Sequence, residues 1–177
     1  DLRMYENIRL KIFLRTDIWS RIIGHDFREA SHITRTMNID WNDDTILNLI
    51  IRRFVQNPAL ISAYSIKKET ILENFNLLKK LFYNIFPDQV EQGPNKSKTL
   101  KWLISHTVDG TNTIAPREII HILLELQRLQ IEQFEIGKDG TLREELFAKL
   151  IFKDSLEAVS KTRMEQTIYT EYNSFKT

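Results

Sequence analysis

The chain contains no cysteine. A disulfide framework and a thiolate-ligated metal are therefore excluded, and a reducing, cytoplasmic setting is the expectation. Glycine (5) and proline (4) are scarce among 177 residues. Proteins made of many short strands need turn residues at close intervals, so this scarcity favours long helices. Neither sign of charge dominates: 25 Lys and Arg face 24 Asp and Glu, a net charge of +1. A strongly basic surface for nucleic acid is not the main feature. No apolar run approaches the roughly 18 residues of a membrane span, so no membrane partner is expected. Internal repeats and low-complexity tracts are missing too.

What remains suffices to build a core. Hydrophobic residues make up 42% and charged residues 28%, enough for one ordinary domain or two small subdomains. The chain opens on Asp1-Leu2-Arg3, without an initiator Met or a signal-like segment. The expectation is a fragment of a larger protein.

The rest of the sequence is organised around the stretch Arg9 to Trp19. Leu10, Ile12, Phe13 and Leu14 form a near-continuous apolar run, the pattern of a strand covered on both faces. It ends on Arg15-Thr16-Asp17, where parallel α/β sheets bind their ligands. Thr16 or Asp17 caps a helix over Ile18–Ile23, which Gly24 ends. Residues 1–8 read as the last turns of a preceding helix. Met37, Ile39 and Trp41 alternate, the sign of a half-buried second strand at 36–40. Two strands cannot stand alone as a stable sheet, so further strands are expected upstream of Asp1.

From Trp41 onward the period becomes helical. Asn42 or Asp43 caps a helix carrying Ile46, Leu47, Ile50 and Phe54, which Asn57-Pro58 stops. A longer helix follows Ser65, with Ile71, Phe75, Leu78, Phe82 and Ile85 on one face, and Pro87 stops it. Residues 88–97 form an exposed loop. Ser97 caps a short helix with Leu100, Leu103 and Ile104, and Val108–Asn112 is a turn. Pro116 suits a first helical position and opens a helix to Phe134 with Ile119, Ile120, Leu123, Leu124 and Leu126 inward. Thr141-Leu142-Arg143-Glu144 is a capping box for a helix turning Leu146, Phe147, Leu150 and Ile151 inward. A last helix covers Ser160–Tyr172. The expected fold is mainly α: multi-helical over 42–177, with a small two-stranded α/β remnant over 1–41.

Few residues carry a chemical signal. Gly93-Pro94-Asn95-Lys96-Ser97-Lys98-Thr99 lacks the second glycine of G-x-x-x-x-G-K-[ST] and follows no apolar strand, so it reads as an ordinary loop. His25, His32, His106 and His121 show no i,i+4 pairing, and no metal site is expected. No Ser, His and Asp set has a recognisable motif around it. Asp43 and Asp44 complement a helix dipole, and Trp19, Trp41 and Trp102 read as packing residues. Arg15 is open to two readings: a guanidinium facing the ligand crevice and able to grip a phosphate bidentately, or a surface partner of Asp17. Arg117, after Pro116, places a cation at a helix start, where anions collect, although Glu118 already supplies the acidic residue that position favours. Arg52 and Arg53 end a helix, where cations are simply favourable.

Several segments together resemble one family. Phe13-Leu14-Arg15-Thr16-Asp17-Ile18 looks like the F-L-R-x-D-I strand end of bacterial STAND-type P-loop ATPases, signal-transduction enzymes of the AAA+-related group. Ile39-Asp40-Trp41-Asn42-Asp43, with Leu47 to Arg53, resembles the passage from their nucleotide-binding core into a helical lid. Asp109-Gly110 and Ala115-Pro116-Arg117-Glu118-Ile119-Ile120 are similar to the lid motif P-R-[DE]-I-I, and Val159-Ser160 with Glu171-Tyr172 to the helical segment that follows. The resemblance implies that 1–41 is the C-terminal end of a P-loop NTPase core and 42–177 its helical lid and following segment, and that Arg15 is sensor-1-like and approaches the terminal phosphate. It implies that Pro116 and Arg117 close over the nucleotide, with Arg117 sensor-2-like. ATP or ADP with magnesium would be the cofactor of the parent protein. The Walker A and B segments are absent here, so this chain by itself is expected neither to hold nucleotide nor to hydrolyse it. Loss of most of the sheet would bare the strand at 10–14 and promote self-association. Two alternatives stand beside this: a non-enzymatic helical scaffold that binds a protein partner, and a nucleic-acid binder using Arg52, Arg53, Lys67 and Lys68, which the near-zero net charge disfavours.

Overall fold

The computed structural model describes residues 7, 11–24, 36–108, 113–138 and 145–164. They fall into two units, Asp1–Asp40 and Trp41–Thr177. Among the described residues there are eight α-helices and no strand; the one pairing of extended backbone is the bridge between Val108 and Ile114. The protein is mainly helical.

In the first unit, α1 spans Thr16–Gly24. Its first turn closes when the Trp19 N–H donates to the Arg15 carbonyl at 2.9 Å. The Ser20 hydroxyl also donates to the Thr16 carbonyl. The two expected strands are not formed over their described residues. Residues 11–14 and 36–40 are irregular, and their apolar side chains stand in solvent, Phe13 at 81% and Met37 at 86% exposure. A lone extended segment has no ladder to satisfy its backbone groups, and a two-stranded pair without a covering layer is marginal in water. Leu10, the helix end expected over residues 1–8 apart from Asn7, and residues 25–35 lie outside the described residues.

The second unit begins with α2 (Asp43–Phe54). Its start is fixed by a reciprocal box: the Thr45 N–H donates to Asn42 Oδ1 at 2.9 Å, and the Asn42 N–H to Thr45 Oγ1 at 2.8 Å. Asn57-Pro58 does more than stop this helix. Asn57 accepts the Ala59 N–H, and Pro58 takes the first position of a short α3 (Pro58–Ala63), where a missing N–H costs nothing.

The long helix expected after Ser65 is two helices, α4 (Lys68–Glu73) and α5 (Phe75–Ile85). Asn74 breaks them with extended backbone (φ −125°, ψ 109°), and its side chain accepts the amides of Asn76 and Leu77 at 3.0 and 3.2 Å. A short amide side chain that can cap competes with helix continuation. Phe75, expected inward, is consequently exposed on the first turn of α5.

Next comes α6 (Thr99–Ser105), whose cap position is Lys98 and not Ser97. It is anchored through Thr99, whose N–H donates to the Asp88 carbonyl and whose hydroxyl donates to that of Pro87. The longest helix, α7 (Pro116–Glu135), starts at Pro116 as the sequence implies. It ends where Gly137 adopts φ +68°, and the Lys138 N–H returns to the Gln133 carbonyl, a left-handed helix stop. Its buried line is Ile119, Ile122, Leu126 and Gln130; Leu124, expected inward, faces solvent.

The capping box at 141–144 lies outside the described residues. Residues 145–150, expected to be helical, are not. The Leu146 N–H donates to the Ile85 carbonyl at 2.9 Å, and the Ala148 N–H to Gln130 Oε1 at 2.8 Å. This pins the segment to α5 and α7, buries Phe147 and leaves Leu146 and Leu150 exposed. The last described helix, α8, runs from Ile151 to Arg163; residues 165–177, most of the helix expected over Ser160–Tyr172, are outside the described set. Within the unit α7 packs on α8, and α2 packs on α5 and α6. At the centre Phe86 is fully buried, stacked on Phe82 and Phe147 with centroids 4.5 and 5.0 Å away.

Candidate functional site

Arg15 and Arg117 belong to different units. Arg15 is exposed, directly before α1, and its carbonyl receives the first helical hydrogen bond. Ile12, Phe13 and Leu14, just ahead of it, are exposed as well. Arg117 stands one residue after the proline that opens α7, with its side chain 82% exposed. Its Nη2 lies 3.4 Å from Glu118 Oε1, a carboxylate only 10% exposed. Glu118 thus fills the acidic first-turn role that a helix start favours, while the neighbouring guanidinium projects outward. Pro116 itself contributes rigidity, not a polar contact. Asp109 and Gly110, quoted for the lid motif, lie outside the described residues, as do Glu171 and Tyr172.

Arg52, Lys68 and Asp43 make local contacts. Arg52 Nε donates to Asn48 Oδ1 one turn earlier. Gln56 links the end of α2 to Lys68: its amide donates to the Arg52 carbonyl at 3.2 Å, and its oxygen accepts from Lys68 Nζ at 3.0 Å. Asp43 pairs with Lys101 at 3.2 Å, joining α2 to α6. His106 stacks on Trp102 at 4.2 Å, and its Nδ1 donates to the Trp102 carbonyl at 2.7 Å, a packing role. Among the described residues no group of three metal-ligating side chains converges, and no helix is long and apolar enough to cross a membrane.

One constellation was not anticipated. Val90, Glu91, Gln92, Lys96, Lys149, Leu150 and Lys153 line an open cavity of about 390 Å³. The Glu91 carboxylate bridges two of the lysines, Oε2 to Lys96 Nζ at 2.6 Å and Oε1 to Lys153 Nζ at 3.4 Å. Hydrogen bonds from Lys96 and then Lys153, followed by their charges, hold its carboxyl below the ordinary range. Lys96 sits in the loop that fails as a phosphate loop. The other two lysines are more than fifty positions away in sequence. No local motif could have joined them.

No family model matches the chain, and neither a curated protein nor a solved structure does. The resemblance to STAND-type ATPases therefore rests on the quoted segments alone.

Proposed function

We propose that the chain is the C-terminal part of a P-loop NTPase module of the signal-transduction type, comprising the end of the nucleotide-binding core and a helical lid. The observation that carries this reading is the bare apolar run before Arg15. Ile12, Phe13 and Leu14 are 69%, 81% and 48% exposed, yet they lead straight into α1. An isolated globular domain gains stability by covering such residues. A run of this kind fits a core strand whose sheet neighbours lie in another part of the protein. The two-stranded remnant would then become true strands only beside those neighbours. In that setting Arg15 would end a strand at the ligand-facing side of the sheet, and Arg117 would approach from the lid. Two cations from separate parts make closure depend on the γ-phosphate of ATP, a workable nucleotide switch. Magnesium and ATP or ADP would be held by upstream residues, not by this chain.

The test is made on the parent protein. Reading its coding sequence upstream of Asp1 should reveal G-x-x-x-x-G-K-[ST] after a strand and, later, a strand ending in acidic residues. Arg15→Ala and Arg117→Ala in that parent should each lower ATP turnover with the fold intact. Unchanged turnover in both variants would sink the assigned roles.

A second reading has its own observation. On α7, Leu124 and Ile131 are exposed on a side away from the buried line, and Phe134 is exposed near the helix end. That favours a non-enzymatic helical scaffold that docks a protein partner. A parent without the phosphate loop would put this reading first.

A further inference from the structure

The cavity beside α8 is lined by three lysines and one glutamate, whose carboxylate pairs with two of the lysines. We propose that it is a binding site for a small phosphate-bearing anion, held by Lys96, Lys149 and Lys153. Lys149 and Lys153 are four residues apart across the start of α8 and both line the hollow, with Lys96 joining from the facing loop. Two like charges lining one hollow repel, and an anion between them relieves that repulsion. Glu91 supplies one anion, engaging Lys96 and Lys153. Among the described residues Lys149 has no ion-pair partner. Three positive charges and one negative leave the lining at +2, which a phosphate dianion brings to neutrality. Asp154, the residue after Lys153, does not line the cavity.

The surroundings suit a small ligand. The volume of about 390 Å³ lies at the low end for ligand clefts. Val90 forms a buried apolar wall, and low-dielectric walls concentrate the field of the charges around them. Hydrogen bonds from Lys96 and Lys153, and then their charges, hold the Glu91 carboxyl below its ordinary range. A membrane or nucleic-acid surface would need a broad basic face. Here three lysines line one hollow on a chain of net charge +1, too few for a broad basic face. The proposal is independent of the ATPase reading, since it involves neither Arg15 nor Arg117.

The experiment titrates the 177-residue chain with inorganic pyrophosphate at low ionic strength, following amide and lysine side-chain NMR shifts. Saturable shifts centred on Lys96, Lys149 and Lys153 are expected. Lys149→Gln and Lys153→Gln together should weaken binding about tenfold or more, the scale of lost charge-assisted hydrogen bonds. Lys79→Gln with Lys80→Gln, a charge-matched change on the exposed side of α5, should leave affinity unaltered. Glu91→Gln removes the competing carboxylate and should tighten binding several-fold. Non-saturable shifts, equal losses in the two double variants, or weaker binding by Glu91→Gln would overturn the proposal. So would retention on anionic phospholipid vesicles with no response to pyrophosphate, which would assign the lysines to a membrane surface. All substituted side chains are at least partly exposed, and matching circular dichroism spectra verify that each variant folds.

Discussion

Replacing Phe86 with alanine should be among the most damaging single changes in the second unit. Phe86 is 0% exposed. It stacks on Phe82 and Phe147, and meets Phe54 and Phe152 edge-on at 5.6 and 6.5 Å. These partners come from α2, α5, the 145–150 segment and α8, so one ring joins four parts of the core. Truncating a buried phenylalanine costs about 3–5 kcal/mol in lost transfer energy and cavity formation. At about 3 °C per kcal/mol for a domain of this size, the melting temperature should fall by about 10–15 °C. Phe86→Leu keeps most of the volume and loses chiefly the ring–ring geometry, about 1–2 kcal/mol, or roughly 5 °C. Thermal unfolding followed by near-ultraviolet circular dichroism measures both. Hydrogen exchange adds a local readout, because the Leu146 N–H is held by the carbonyl of Ile85, the residue before Phe86; that amide should exchange faster in the alanine variant. Phe134→Ala is the control, since Phe134 is 74% exposed and its loss should change stability by no more than about 0.5 kcal/mol. If Phe86→Ala melts no lower than Phe134→Ala, the packing described around Phe86 is wrong.

Asn42→Ala removes one half of the box at the start of α2 and should cost about 1 kcal/mol in urea unfolding; no change would mean Thr45 alone secures that end. The Glu91 carboxyl is held low in the folded chain, so its contribution is present above the ordinary carboxylate range and is lost as pH falls through the lowered folded value. Carbon-13 titration of Glu91 should give a midpoint below that of an unstructured peptide, and Lys96→Gln with Lys153→Gln should move it up; a midpoint indifferent to both lysines would contradict the bridge. Finally, Ile12→Ser with Phe13→Ser should reduce concentration-dependent self-association in sedimentation velocity. A wild-type chain that stays monomeric at all concentrations would count against the bare-strand reading.

The helix ends fixed by a single residue were legible in advance. Asn42 before an apolar-periodic run and Pro116 before another each specify a boundary through local hydrogen bonding or a missing N–H. Asn74 carries the same kind of signal, but it lies within a stripe that continues in register on both sides. The periodicity of Ile71, Phe75 and Leu78 hid the break, and only the geometry of the Asn74 side chain settles it in favour of two helices. The strand at 10–14 shows the opposite failure. Its apolar pattern states what the residues would do against a sheet, and the described residues of the chain supply no sheet.

The lysine cavity and the two sides of α7 were illegible for a shared reason: both depend on which surfaces meet. Ile119, Ile120, Leu123, Leu124 and Leu126 look like one inward stripe when counted along the sequence. At about 100° per residue, however, Ile119, Ile122 and Leu126 point to one side, while Ile120, Leu124 and Ile131 point well away from it. Both sets satisfy helical spacing, so spacing cannot choose between them. The choice is made by α8, which packs along α7, and by Gln130, whose oxygen accepts the Ala148 N–H and draws the 145–150 segment onto the same side. That segment carries Lys149, and α8 after it carries Lys153, to the cavity that Lys96 also lines. A buried glutamine thus helps to position the cationic cluster. Gln130→Leu should accordingly loosen the segment and weaken pyrophosphate binding while leaving all three lysines in place. Unchanged binding with a freed Ala148 amide, read by hydrogen exchange, would show that the lysines assemble without it.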